Sequence, residues 1–400
     1  MPGGAPKPYV LWRHVLTDLW GIPIAMYTGI ANDVEFKFLL NRPASLTFTV
    51  PSEHKLVNIV HTDGDPYLSV GNRLIKSYRK VSHTVDEQPA TVTPWELQFV
   101  GRIWQIADSG DEDTVNTAVT CFDPLQDCSA RVVRMASGNF QAQVKWWSTK
   151  GDTIIKEMID RTNACSLAPL LFTTTGGTFT DTDVQTVAYD QKMILPSIIE
   201  LTDTGTVDIT MTYNDYQDDT KTDWTGHATI SATPRMGSDK PDVIFGYAAP
   251  PRTVKTYDRT QDMNTFANDV TLWGKTAKGH TANASDSDSI AKYGAFEEAA
   301  MLSGVETLEL VEMLTDEQLA LRKAPKDVIS IVPLPGVSMQ PFNEWFLGDT
   351  VTVNVGRTPF PVTRTTADGV QRIYGFTLGI DPDIGEQVTE LVVSAQAEGS

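Results

Sequence analysis

Along much of the chain, apolar and polar residues take turns. In Ser45-Leu46-Thr47-Phe48-Thr49-Val50-Pro51, Leu46, Phe48 and Val50 face one way and Ser45, Thr47 and Thr49 the other, which predicts a half-buried strand closed by proline. Near the C-terminus Gly348-Asp349 marks a turn, after which Val351, Val353 and Val355 alternate with Thr350, Thr352 and Asn354. A Pro- and Gly-marked loop leads to Gln371-Arg372-Ile373-Tyr374-Gly375-Phe376, then to an acidic turn from Asp381 to Glu386 and a last strand-like run, Gln387 to Ser394. This is the pattern of a three- or four-stranded antiparallel meander.

The plan occurs once more upstream. Val70-Gly71-Asn72-Arg73-Leu74-Ile75 opens a strand, a loop holds Pro89 and Pro94, and Gly101-Arg102-Ile103-Trp104-Gln105-Ile106 follows; the acidic turn Asp108 to Asp113 then precedes Val115 to Cys121. Gly71-Asn72 answers Gly348-Asp349, and Arg102-Ile103-Trp104 answers Arg372-Ile373-Tyr374. Two readings stand: a true duplication, or two meanders alike by chance. A duplication would put two related β-barrels in one chain, separated by a long insertion, and a repeated barrel is a way to build a ring.

The remaining pattern divides the chain into three. Residues 1–125 form an all-β unit behind a flexible N-terminal arm; within it, Tyr9 to Thr28 fits either a short amphipathic helix or strands around a turn at Asp18. Residues 126–250 mix a helix, with Asp152 as its cap and Ile154, Ile155, Met158 and Ile159 on one face, with strands such as Thr206–Tyr213, His227–Ala232 and Asp242–Tyr247. A helical turn interrupted by Pro196 is expected within Gln191–Leu201. In residues 251–400 the β pattern resumes, Phe266–Gly274 included, around a helical insertion at about 290–324, where Thr315-Asp316-Glu317-Gln318 fits a capping box before Leu319 and Leu321. The fold class expected is therefore mainly β, with two β-barrel domains and an inserted α+β domain.

Composition narrows the function classes. Four hundred residues suffice for several cores, and no run of eighteen apolar residues predicts a membrane span. Met1 to Pro8 lacks an apolar signal core, so a chain made and kept in a cytoplasm is expected. Cys121, Cys128 and Cys165 make an odd count without a Cys-x-x-Cys pair, which argues against a disulfide framework. The net charge of −19 argues against wrapping nucleic acid, since phosphate affinity comes from Lys and Arg. It leaves room for DNA to slide past an acidic surface without sticking.

Candidate chemistry is sparse. Asp108, Asp111, Glu112 and Asp113 lack the spacing of a calcium loop, as do Asp215, Asp218 and Asp219, and Asp381 and Asp383; solvated turns are the simpler use. His14, His54, His61, His83, His227 and His280 are scattered, with no pair at zinc-helix spacing. No Gly-x-Ser-x-Gly, P-loop or Gly-x-Gly-x-x-Gly occurs, and Gly176-Gly177 is too short to cradle a phosphate. Trp146, Trp147 and Trp224 could stack on sugars or anchor a core. Asn283-Ala284-Ser285 is a sequon in form only. No catalytic, cofactor-binding or metal-binding residue is assigned, and no enzyme is expected.

With both meanders placed, residues 9 to 395 resemble the minor tail or tail-tip (baseplate) hub proteins of long-tailed phages. The resemblance is carried by Ser45 to Pro51, Gly101 to Trp104, Phe122-Asp123-Pro124-Leu125, Phe266 to Gly274 and Leu347 to Val353, in that order. It implies a structural protein of the virion tail tip, assembled in the host cytoplasm as a homotrimer. Each chain would give two tail-tube-like barrels, so that three close a pseudo-sixfold ring. The implied partners are the distal tail protein or tail tube above, tip or fibre proteins below, and the tape-measure protein in the lumen, with DNA in passage. The insertion would decorate the outside of the ring. An acidic inner wall would keep DNA moving. Many such hubs carry a C-terminal wall hydrolase or fibre extension; this sequence stops at Ser400, so neither is expected. The alternatives are a tip-associated cell-wall hydrolase and a carbohydrate-binding adsorption protein.

Overall fold

The alternating stretches become strands in the computed structural model, which describes residues 9–27, 32–82, 94–110, 115–135, 144–165, 169–174, 184–189, 192–203, 207–233, 236–247, 252–274, 279–302, 308–324, 326–334, 340–355, 369–381 and 385–394. Residues Tyr9 to Tyr27 form strands, not a helix: β1 (Tyr9–Asp18) turns back into β2 (Pro23–Tyr27). The Asp18 carboxylate fixes the turn by accepting the N–H groups of Trp20 and Ile22. β3 (Asn32–Leu39) and β4 (Ser45–Pro51) make a hairpin. After a single helical turn, α1 (Lys55–Asn58), come β5 (Arg73–Ser82), β6 (Glu96–Gly110) and β7 (Val115–Phe122).

The next segment has a core of its own. It holds β8 (Val144–Lys150), α2 (Gly151–Asn163), β9 (Phe172–Thr174), β10 (Val184–Tyr189), α3 (Ile194–Asp203), β11 (Asp208–Tyr213) and β12 (Ala228–Thr233). The α2 face Ile154, Ile155, Met158 and Ile159 is fully buried against Leu170, Phe172 and Ile198. Asp152 sits in the first turn of α2, where its carboxylate takes the Thr153 N–H, and Lys150 stands at the cap position without a side-chain bond. A carboxylate suits either place beside the helix N-terminus. Pro196 does not interrupt α3, because it lies in the first turn, where no intrahelical N–H bond is required.

β13 (Asp239–Gly246) leaves the insertion and pairs in parallel with a C-terminal strand. The run Asp242–Tyr247, placed in the insertion by its sequence position, thus belongs largely to the main sheet. β14 (Val254–Asp262) follows, and then a second small unit. This comprises β15 (Asp269–Gly274), β16 (Thr281–Ser285), α4 (Ser287–Tyr293), β17 (Glu297–Leu302) and α5 (Leu308–Arg322). Val270, Leu272 and Val311 centre its core, so the insertion expected at about 290–324 already includes the Phe266–Gly274 stretch. Thr315 is no cap; it lies inside α5, its hydroxyl bonded to the Val311 carbonyl at 2.6 Å, because apolar contacts already hold the turns before it.

β18 (Lys326–Pro333), β19 (Thr350–Asn354), β20 (Gly369–Asp381) and β21 (Gly385–Ser394) complete the chain. The main sheet has thirteen strands, in the order β14-β18-β21-β20-β3-β4-β7-β6-β5-β1-β2, with β19 and β13 branching from β20. Mainly β architecture with an α+β insertion is thus what the chain adopts. The barrels differ from the expectation: among the described residues no strand pairing closes either half into a separate barrel, and one sheet and one core run through both.

The halves share their wiring. A hairpin is followed by a meander whose last strand pairs with the second hairpin strand, giving β3-β4-β7-β6-β5 in one half and β14-β18-β21-β20-β19 in the other. The register of β6 on β7 skips at Trp104, between Ile103 and Gln105, and that of β20 on β21 skips at Tyr374, between Ile373 and Gly375. Gly71 and Gly348 precede the first meander strand at φ +85° and +81°. Each donates its N–H at 2.9 Å, to the carbonyls of Ile103 and Ile373.

Candidate functional surface

The sheet has an apolar face and a polar face. Phe36, Phe38, Leu46, Phe48, Phe376 and Leu378 go to the core. The seam between the halves is aromatic: β20 pairs with β3 from Gly375–Leu39 to Ile380–Val34, and the Phe38 and Phe376 rings lie 5.0 Å apart. Period-2 geometry sends the intervening residues to the other side. There Lys37 lies beside Thr377, and Thr377 beside Glu390. Glu35, Thr47, Thr120 and Gln105 form a second row across β3, β4, β7 and β6. Ser330 donates to Glu390 at 3.2 Å, and Asp258 pairs with Ser330 across the hairpin. Among the residues that these pairings place on the face, Glu35, Asp258 and Glu390 are acidic and Lys37 is basic, beside the hydroxyls of Thr47, Thr120, Ser330 and Thr377.

Buried ion pairs fix the frame behind it. Arg79 on β5 binds Glu386 at the start of β21 through Nε at 2.8 Å, and Trp12 Nε1 donates to the same carboxylate at 3.0 Å. Glu386, on a turn expected to be solvated, is therefore a joint between the halves. Asp208, which opens β11, accepts from the buried Arg372 guanidinium, from Asn41 at 2.9 Å and from the Met236 N–H at 2.7 Å. Arg102 meets Asp127 at 3.2 Å. In both halves the arginine of the Arg-Ile-aromatic strand thus grips a carboxylate of the insertion.

The sequence candidates are dispersed. Asp215 accepts from Lys76 at 3.0 Å and from the Tyr78 hydroxyl at 2.7 Å. Asp218 folds its own loop by accepting the Thr220 hydroxyl and the N–H groups of Thr220, Thr222 and Asp223, and these bonds, the hydroxyl's first, hold its carboxyl well below the usual range. Asp219 stays at that loop, accepting from Gln217 at 2.6 Å. Asp108 accepts from Thr117 at 2.7 Å. Burial lowers the pKa of His14 and of His227 to about 4; His14 contacts the Ser77 hydroxyl at 2.9 Å and His227 the Leu19 carbonyl at 2.8 Å. His54 takes the Leu56 N–H and His61 faces Asp63 at 3.3 Å, whereas His280 is brought to none of the other histidines. Trp146 is buried under Arg161 and donates to Glu157 at 2.8 Å; Trp224 rests on Trp20 and donates to the Pro169 carbonyl. The Trp146 ring is thus closed to a sugar, whereas Trp224 is half-buried. Asn283 bridges within its strand pair, to Asp269 at 2.6 Å. Cys121 and Cys128 are buried thiols raised by desolvation, and Cys165 is half-buried. Among the described residues no group of His, Cys, Asp and Glu could hold a metal, and no helix is long and apolar enough to cross a membrane. Asp111, Glu112, Asp113, His83, Gly176, Gly177, Asp383 and the side chains of Trp147 and Asp381 lie outside the described residues. The seam between main sheet and insertion leaves a partly open cleft of about 50 Å³ beside Phe38, Asn41, Asp123 and Tyr213, room enough for water.

This fold is shared with solved phage tail proteins. The chain is similar in structure to the 43 kDa tail protein of prophage MuSo2 from Shewanella oneidensis, with a TM-score of 0.54, 12% identity, and 95% of this chain and 97% of that one covered. It is similar to the prophage tail protein gp18 from Listeria monocytogenes EGD-e, at 0.53 and 11%, covering 96% and 95%. It is also similar to a tail protein from Neisseria meningitidis MC58, at 0.54 and 10%, covering 96% and 97%. By sequence, no protein-family description and no curated protein matches.

Proposed function

We propose that this chain is the structural hub of a phage tail tip, acting without catalysis. Three copies form a ring of six like segments that joins the tube to the tip. The observation that carries this reading is the shared strand order of the two halves and their joining through β20 and β3. A protomer built from two like segments lets a threefold assembly present sixfold features, matching a sixfold tube above and a threefold tip below. The polar face is the candidate lumen wall. Hydroxyls and an excess of carboxylates give phosphates no cation lattice to bind, so DNA and the tape-measure protein pass without stalling. The insertion and the small α5 unit lie outside, toward distal tail and tip or fibre proteins. The particle is assembled in the host cytoplasm and resides at the virion tail tip. Gold-labelled antibody against the full chain tests this on whole virions: label confined to the tail end away from the capsid is expected, and label along the tube or on the capsid contradicts it.

A further inference from the structure

The seam inside the chain has two halves, and each has an unused counterpart. One edge of β20 carries two neighbours, β19 along residues 369–372 and β3 along residues 375–380. β6 is built the same way, but only its first part is covered: β5 pairs along residues 96–102. Among the described residues no strand pairs with that edge over residues 105–110. Gly375, Phe376, Thr377 and Leu378 are buried, whereas Gln105, Ala107, Asp108 and Ser109 are exposed. At the other end of the sheet, β14 stands to β18 as β3 stands to β4, yet its outer edge pairs with no described strand. A long open edge invites another strand, and here the two open edges are the two members of a junction already made once.

We propose that β6 residues 105–110 pair antiparallel with β14 residues 257–262 of a second copy, in the register of the internal β20–β3 seam. This rests on the ring reading above and says which edges close the ring. The register follows from equivalent positions. Ile103 pairs with Cys121 and Ile373 with Val393, so Asp108 stands where Leu378 does. Leu46 pairs with Cys121 and Phe36, and Ile329 with Val393 and Arg259, so Arg259 stands where Phe36 does. Leu378 pairs with Phe36 inside the chain. The same pairing sets Asp108 opposite Arg259 of the second copy. An apolar pair in the permanent seam becomes an opposite-charge pair in the seam between copies, a substitution that suits an edge exposed before assembly. Thr117 holds one Asp108 oxygen at 2.7 Å, which aims the other. Ile106 and Tyr257, both packed on the main core, flank the charges and carry it across the boundary.

The test uses the full chain with Cys165→Ser, the other two thiols being buried. With Asp108→Cys and Arg259→Cys, mild oxidation should give disulfide-linked dimers and trimers that reductant dissolves, with three linked chains the largest product. Asp108→Cys with Thr260→Cys should not link, because neighbouring strand residues face opposite sides. Without any cysteine change, Asp108→Arg should weaken trimer association about tenfold, and adding Arg259→Asp should restore most of it. A trimeric parent whose first cysteine pair stays unlinked, or whose control pair links instead, overturns this pairing and leaves the ring standing. A linked ladder running past three chains keeps the pairing and refutes closure at three. A parent that remains monomeric overturns both.

Discussion

At the scale of single residues, the molecule depends on a few buried charges whose partners lie far away in sequence. Asp208 is held by Arg372, Asn41 and the Met236 N–H. Asp208→Ala strands the Arg372 guanidinium in the core, and a loss of about 3–5 kcal/mol is expected from chemical denaturation midpoints; a loss below about 1 kcal/mol would show that Arg372 finds another partner. The buried histidines set an acid limit. His14 and His227 are held near 4, below their ordinary 6.5, so the unfolded chain takes up protons first as pH falls. Their contribution is complete above about 6.5 and disappears toward 4, at up to about 1.4 kcal/mol per pH unit for each ring. Asp123 runs the other way: burial raises its carboxyl from 3.8 to about 7, so its contribution is present at low pH and fades as pH rises through 7. Urea titrations of the His14→Gln, His227→Gln double variant between pH 4.5 and 6.5 should therefore show stability rising on acidification, where the parent loses it. None of these pairs could be seen in the sequence. Arg79 and Glu386 lie 307 positions apart, and an acidic residue beside a Gly turn looks solvated until its partner is placed.

At the scale of elements, strand identity was legible because one buried face imposes a period of two, and the meanders fell where alternation put them. Even the matched Gly71 and Gly348, and the matched Arg-Ile-aromatic runs, occupy equivalent places. What alternation could not supply was partnership. β13 and the β15 stretch carry ordinary strand patterns, and only long-range pairing assigns one to the main sheet and the other to a satellite unit. The capping-box motif misled at Thr315 because a motif states what can start a helix, not whether one is already running. The two glycines also give a differential test. Both need a positive φ, but a Cβ at Gly71 meets open space, whereas at Gly348 it falls 2.6 Å from the Met236 carbonyl oxygen. Gly71→Ala should cost about 1–2 kcal/mol and Gly348→Ala measurably more, read from thermal or urea midpoints. Equal costs would mean that the Met236 loop yields freely.

At the scale of the whole molecule, one face of a continuous sheet buries the core and the other presents hydroxyls and carboxylates. Which residues share that polar face was beyond the sequence, since Lys37, Thr377 and Glu390 are neighbours only through the β3–β20–β21 pairing. If the face lines a conduit, its charge matters more for transit than for assembly. Virions carrying Glu35→Lys and Glu390→Lys should assemble normally yet eject DNA more slowly, most visibly at low ionic strength, where phosphate attraction is least screened. Unchanged ejection in assembled virions would remove the face from the path. The central claim is that each chain supplies two like segments to a closed ring, and the mass of the purified particle measures it. Native mass spectrometry should find three chains, three times 44.0 kDa or about 132 kDa; a stable 44.0 kDa monomer, or any closed number other than three, would contradict it.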